Sequence, residues 1–188
     1  MDELFIFDKD KPQYTKLQLI IAGFYQLIIS QIITIIICKV LQIDIEQNVV
    51  NHKDNITKKW KESGLGVSSI ILSEILGTIV YTSFAEEFVY KLFFMKYVLV
   101  KGLNINVYLS NFIQALLFSI THYINIINIK QDRNYTMVQM ISCFVSGFVG
   151  GFFYSYFNSL IPSVIAHMTN NSFAVIDEII TYVKNKNK

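Results

Sequence analysis

Long apolar runs separated by short charged stretches set the plan of this chain. Leu17 to Cys38 holds no charged residue and is bounded by Lys16 and Lys39. Its 22 positions, rising about 1.5 Å each, reach about 33 Å, enough to cross a bilayer core. Gln18, Gln26 and Gln31 interrupt the run, which predicts one face turned towards other helices rather than lipid. Gly66 to Ala85 predicts a second span, broken by Glu74, an acid expected to face the bundle interior or a watery cavity. From Phe88 to Leu99 a third, less regular span carries Lys91 and Lys96. One helix running on past Glu86 and Glu87, or two bent helices, would both suit that stretch. Gly102 to Ile129 are 28 uncharged residues between Lys101 and Lys130, a fourth span with its flanks. Asn134 to Ile176 are 43 more between Arg133 and Asp177, two spans joined by a turn at Asn158-Ser159-Leu160-Ile161-Pro162. The last span extends from about Pro162 to Val183.

This pattern predicts an all-α, polytopic transmembrane helical bundle of about six spans, with room for extra interfacial helices. It divides into an N-terminal tail, first span and polar loop (1–64), a helical core (65–183) and a basic tail (184–188). Ser142, Ser146 and Gly150, with Gly147 and Gly151, recur at four-residue spacing, which lets helix backbones approach closely in lipid. In the polar connection from Lys39 to Gly64, Trp60 among Lys53, Lys58, Lys59 and Lys61 suits the headgroup region. A solvated loop suits that composition equally, and so does a short amphipathic surface helix.

Composition agrees with the pattern. Hydrophobic residues make up 53% and charged residues 16% of the 188, against about a quarter charged in soluble domains. A net charge of +2, with the lysines in loops, gives no footprint for nucleic acid. Cys38 and Cys143 lie in apolar runs without a C-x-x-C pattern, and read as buried thiols. Asp2, Glu3, Asp8 and Asp10 precede the first run and no small-x-small site ends it, so it is expected to stay as an anchor. Six spans would place both termini on one side. Eight basic residues would then share that side against six on the other, a margin that favours cytoplasmic termini. The abundance of Ile, Asn and Lys fits a low-GC bacterial genome, and so a bacterial cell membrane.

Chemistry concentrates in few residues. Two adjacent carboxylates at membrane depth cost of order +2.5 kcal/mol or more each, and persist there mainly when paired or working. Glu86 and Glu87 point about 100° apart on a helix, so they cannot share one task. Glu87 and Lys91 have the favourable acid-first spacing of four for an ion pair, which leaves Glu86 to face a cavity. His122 follows Phe118 by four residues, and His167 precedes Asn171 by four, each pair on one helix face. His52 lies in the polar loop and is unremarkable. Each feature alone has a plain explanation: solvated acids at a surface, a snorkelling lysine, a hydrogen-bonded core histidine. Together Glu86, His122, His167 and Asn171 hold a base, two imidazoles and an amide donor, the parts for activating a water and stabilising an oxyanion.

The ordered set Glu86-Glu87-x-x-x-Lys91, Phe118-x-x-x-His122 and His167-x-x-x-Asn171 resembles the CPBP (Abi) family of CAAX amino-terminal proteases and bacteriocin-processing or immunity proteins. The resemblance spans roughly residues 65 to 176 and leaves out the first span. It implies an intramembrane endopeptidase in which Glu86 activates the attacking water with His122. His167 and Asn171 would support the oxyanion, while Glu87, Lys91 and Phe118 hold the site in shape. Its substrate would be a membrane-associated peptide: a lipidated (prenylated) tail, a leader peptide or another membrane protein. The family usually has arginine, commonly followed by glycine, where this chain has Lys91 and Leu92. Lysine keeps the charge and loses the planar fork. No cofactor is expected, in line with a metal-free glutamate protease. Were a metal used, zinc on Glu86, His122 and His167 would be the natural set. Two further readings stand beside the protease: a self-immunity protein acting by binding, and a small transporter or scaffold whose buried Glu and His relay protons.

Overall fold

The computed structural model describes residues 14–128 and 131–186. The acidic N-terminal tail lies outside the described residues. Helix α1 (Lys16–Val40) starts on a reciprocal cap in which the Thr15 hydroxyl accepts from Gln18 N–H and the Gln18 side chain accepts from Thr15 N–H. Helix α2 (Ile45–Glu62), capped by Asp44, occupies the polar connection, so the surface-helix option is the one taken. Helix α3 (Val67–Gly102) is a single rod of 36 residues. Helix α4 (Val107–Thr121) passes through a 3-10 turn (His122–Ile124) into the short α5 (Asn125–Asn128). Helix α6 (Arg133–Phe157) and helix α7 (Ile161–Lys186) complete the chain. Asn158, with φ 54°, adopts the left-handed conformation that ends α6 in the expected turn.

The helical bundle expected from the sequence is therefore found, and the chain past the acids takes the continuous course. The segments counted as second and third spans are one helix, because Glu86 and Glu87 find partners inside the bundle and nothing there breaks the backbone. Ser83–Glu87 keeps α-helical winding, whereas Glu74–Thr82 and Phe88–Gly102 on either side are wound more widely, as π-helix, a form often met at functional sites. Among the described residues α1, α3 and α6 are long and apolar enough to cross a membrane. Helix α4, with 15 residues, and α7, with Asp177 and Glu178 in its second half, pack against them.

Merging two spans into one also changes the ends. Tyr14 packs on Tyr156 and Phe157, while Trp60 packs on Tyr182 and His52 stacks on Tyr135. The start of α1 thus lies beside the end of α6, and the end of α7 lies beside α2 and the start of α6. The described chain begins and finishes at opposite ends of the bundle, not on one side.

Inside the bundle the helices meet through small and polar residues, as the spacing in α6 implied. A Cβ on Gly147 would stand 3.3 Å from the Ala115 backbone, and one on Gly150 2.7 Å from Lys91 Cε. Asn111 and Gln114 of α4 donate to the carbonyls of Phe148 and Gly147 across this contact. Helix α1 is reversed in the same sense: Gln26, Ser30 and Thr34 are buried while Ile28, Ile32 and Ile36 are exposed. That is the arrangement of a helix with lipid outside and polar partners inside.

Candidate active site

Glu86 and Glu87 sit side by side on α3, and the structure gives them different surroundings. Glu87 is buried, with its side chain 3% exposed, and its Oε2 lies 2.6 Å from Lys91 Nζ. Its other oxygen, Oε1, accepts from His167 Nδ1 at 3.1 Å. The opposite ring nitrogen, His167 Nε2, stands 3.5 Å from Glu86 Oε2. The side chain of Glu86 is 28% exposed, the most open of the four. A line of polar groups therefore runs Lys91–Glu87–His167–Glu86, from a dry interior to an accessible carboxylate.

Nδ1 of His167 must carry a proton to bond the Glu87 carboxylate, and this fixes the ring with Nε2 towards Glu86. The helix geometry explains the split. Glu87 and Lys91, four apart, both turn inward, and Glu86 is rotated away from them.

His122 closes α4 and reaches the same region. Its Nδ1 donates to the Phe118 carbonyl at 2.9 Å, and its Nε2 faces Cys143 Sγ of α6 at 3.5 Å. The Phe118 ring links the two histidines, edge to face with His122 at 5.0 Å and with His167 at 6.0 Å. Glu86 lies within electrostatic reach of both imidazoles. The residues expected from separate spans thus gather in one region between α3, α4, α6 and α7.

Asn171 joins them in a particular way. Its Nδ2 donates to the Thr78 carbonyl at 3.2 Å and to Ser83 Oγ at 3.0 Å, tying α7 to α3 in the two turns before Glu86. Both hydrogens of that amide are used. Glu74 is half-buried and accepts from the Thr78 hydroxyl at 2.6 Å.

Several neighbours gave no signal in the sequence. Cys143 is one, lying in an apolar run at no recognisable spacing from His122. Ser83 and Thr78, the acceptors of Asn171, are others. Tyr90, whose hydroxyl donates to Thr121 Oγ1 at 3.0 Å and whose ring packs on Phe118, is a fourth. His52, read as unremarkable, contacts Glu178 and Tyr135 away from this region. Among the described residues no three His, Cys, Asp or Glu side chains are grouped to hold a metal ion, and the set Glu86, His122 and His167 does not close on a common point. His122 turns one nitrogen to a backbone carbonyl and the other to a thiol, and His167 gives one of its own to Glu87.

A family model described as Type II CAAX prenyl endopeptidase Rce1-like matches residues 68–173, more than half of the chain. The chain belongs to the Rce1-like family. This is a protease family, so the chain falls among the hydrolases, and its apolar helices make it an integral membrane protein. The stretches Glu86 to Lys91, Phe118 to His122 and His167 to Asn171 lie inside the matched residues, while α1 and α2 lie outside them. Comparison with curated proteins and with solved structures finds no match.

Proposed function

We propose that the chain is an intramembrane endopeptidase that hydrolyses a peptide bond of a membrane-associated or lipidated peptide, with Glu86 as the base that activates water. The observation that carries this reading is the difference between the adjacent acids. Glu87 is enclosed by Lys91 and His167, whereas Glu86 is open and faces a polarised imidazole. In the proposed step Glu86 takes a proton from water and the hydroxide adds to the scissile carbonyl carbon. The same proton then passes to the leaving amine as the C–N bond breaks. His167, held by Glu87, faces Glu86 and supports the developing charge. His122 flanks the attacking water. A positioned base of this kind contributes about 10²- to 10⁴-fold.

Asn171 is assigned a positioning role rather than that of oxyanion donor, since both its N–H groups already serve α3. No metal is invoked, because His122 Nε2 faces the Cys143 thiol and the described residues group no three such side chains around one point. Among the described residues Lys39, Lys53, Lys58, Lys59, Lys61, Arg133 and Lys184 flank the α2 end of the bundle, and Lys16 and Lys101 the other. This asymmetry supports a cytoplasmic α2 end.

The test is cleavage of prenylated C-terminal peptides and leader peptides by membranes carrying wild type or Glu86→Ala. Processing by wild type alone supports the proposal. Equal processing by both removes Glu86 as the base, and protection against a bacteriocin that survives Glu86→Ala and His122→Ala would point to immunity by binding.

A further inference from the structure

The ammonium of Lys91 is enclosed by protein and has three N–H groups to satisfy, and its ion pair is with Glu87 Oε2 at 2.6 Å. A buried cation with unmet donors is costly, so its remaining neighbours matter. Those neighbours meet at Gly150 of α6. A Cβ added there would stand 2.7 Å from Lys91 Cε, 3.0 Å from Lys91 Nζ and 2.9 Å from the side-chain amide nitrogen of Gln26. The absence of a side chain at position 150 thus opens a slot that two helices enter, Lys91 from α3 and Gln26 from α1. Gln26 is itself buried, 1% exposed, in a helix whose outer face is isoleucine and phenylalanine.

The two ends of a carboxamide exchange by a half-turn, and the partners decide which end goes where. As placed, Gln26 has its amide nitrogen on the Gly150 slot that Lys91 Nζ also borders, and it accepts from the Ser163 hydroxyl at 3.2 Å, while the same hydroxyl also lies 3.0 Å from the Gly150 carbonyl. With the amide reversed, the oxygen faces the cation and the Ser163 contacts are kept. The oxygen of Gln26 accepts from Lys91, its N–H donates to Ser163 Oγ, and the Ser163 proton goes to the Gly150 carbonyl.

We propose that Gln26, on a helix outside the family match, is a positioning residue of the active site: its carboxamide oxygen is a second acceptor for the Lys91 ammonium and so fixes Glu87 against His167. A second glutamine shows how α1 is registered for this. Gln31 donates to Asn170 Oδ1 at 2.6 Å, and a Cβ on Gly23 would stand 2.8 Å from the Pro162 carbonyl, so α1 follows α7 closely on both sides of Gln26. Gln26 acts through the ion pair and touches no reacting atom. Lysine at position 91 makes the contact necessary, because a single ammonium bonded to one carboxylate oxygen lacks the second anchor that a guanidinium fork supplies.

The proposal rests on the endopeptidase reading only for its effect on rate, and its test is spectroscopic first. The full chain is placed in lipid nanodiscs with ¹⁵N-labelled lysine and histidine, and the Lys91 Nζ and His167 ring nitrogens are compared in wild type, Gln26→Met and Gln31→Met. Gln26→Met is expected to move both signals, with Gln31→Met leaving Lys91 Nζ in place. Gln26→Glu, which keeps an oxygen acceptor, is expected to restore an ordered Lys91 signal and serves as the second variant should Gln26→Met fail to accumulate. If peptide cleavage is established, Gln26→Met should lower kcat about tenfold with KM within about twofold. An unmoved Lys91 signal in Gln26→Met, or equal shifts from both glutamines, overturns the proposal whatever the outcome for Glu86→Ala.

Discussion

Lys91 and Glu87 form an ion pair at 2.6 Å with side chains 2% and 3% exposed, one turn apart on α3. Pairs of this kind contribute little relative to well-packed apolar residues, but removing one partner leaves a bare buried charge. Lys91→Met is therefore expected to cost about 3–5 kcal/mol, and Glu87→Gln a similar amount. The double variant Lys91→Met/Glu87→Gln should recover part of the loss. Thermal unfolding in one detergent or lipid condition checks all three, and additive losses would show that the pair is not the coupled unit described.

Glu86 should behave in the opposite way. It is partly open, and its nearest described ion partner is His167 Nε2 at 3.5 Å. Glu86→Gln is expected to lower cleavage by about 10²- to 10⁴-fold while leaving the unfolding midpoint close to that of wild type. A variant that loses stability and activity together would place Glu86 with Glu87 as a structural acid.

Much of this site was legible because helix periodicity is a strict rule. Spacings of four for Glu87–Lys91, Phe118–His122 and His167–Asn171 fix which side chains share a face, and a polar residue in an apolar run must face inward. Helix count was less legible. An acid pair inside an apolar run breaks hydropathy in the same way whether the helix stops or continues, and only the partners on α7 decide. Orientation followed from the count and was lost with it. Cys143 and Ser83 were invisible for another reason: they are small, common in such helices, and gain meaning from what crosses beside them. Gln26 stood between, since its polarity marked an inward face without naming Lys91 as what it meets.

The two glycines Gly151 and Gly77 should respond to alanine with opposite sign. A Cβ on Gly151 would overlap the Asn111 carboxamide, whose amide donates to the Phe148 carbonyl in the contact between α4 and α6. Gly151→Ala is expected to cost about 1–3 kcal/mol or more, as overpacking does. A Cβ on Gly77 would meet nothing within 4 Å, so Gly77→Ala should stabilise α3 by a fraction of the roughly 1 kcal/mol helix preference for alanine. Unfolding midpoints that move in the same direction for both would contradict the close approach of α4 to α6.

Chelation separates the glutamate reading from a zinc enzyme. Prolonged EDTA treatment followed by assay in metal-free buffer is expected to leave peptide cleavage unchanged, and added zinc to give no recovery beyond the untreated rate. Loss on chelation with recovery on zinc would require His122 Nε2 to turn from Cys143 and to converge with His167 Nε2 and Glu86 on one ion.

Helix α2 is held to the bundle at one end by a short series of contacts that can be loosened without touching the site. The His52 ring stacks on Tyr135 with centroids 3.7 Å apart, its Nε2 lies 3.3 Å from Glu178 Oε1, Lys53 pairs with Asp177, and Trp60 packs edge-on against Tyr182. These contacts join a polar helix to the start of α6 and the end of α7, far from the small-residue seams that hold α6 against α4. Stacking of this type is worth about 0.5–1.5 kcal/mol beyond buried area, and a part-exposed polar contact such as that of His52 with Glu178 adds less than about 1 kcal/mol. Removing both with His52→Ala should free α2 locally and leave the core intact. Amide hydrogen exchange in α2 is then expected to accelerate about tenfold, the equivalent of 1.4 kcal/mol, with the middle of α6 and α7 unchanged. Acceleration spread evenly over all helices would mean that α2 belongs to the same cooperative unit as the core, and His52 would then be a residue of global stability rather than a local fastening.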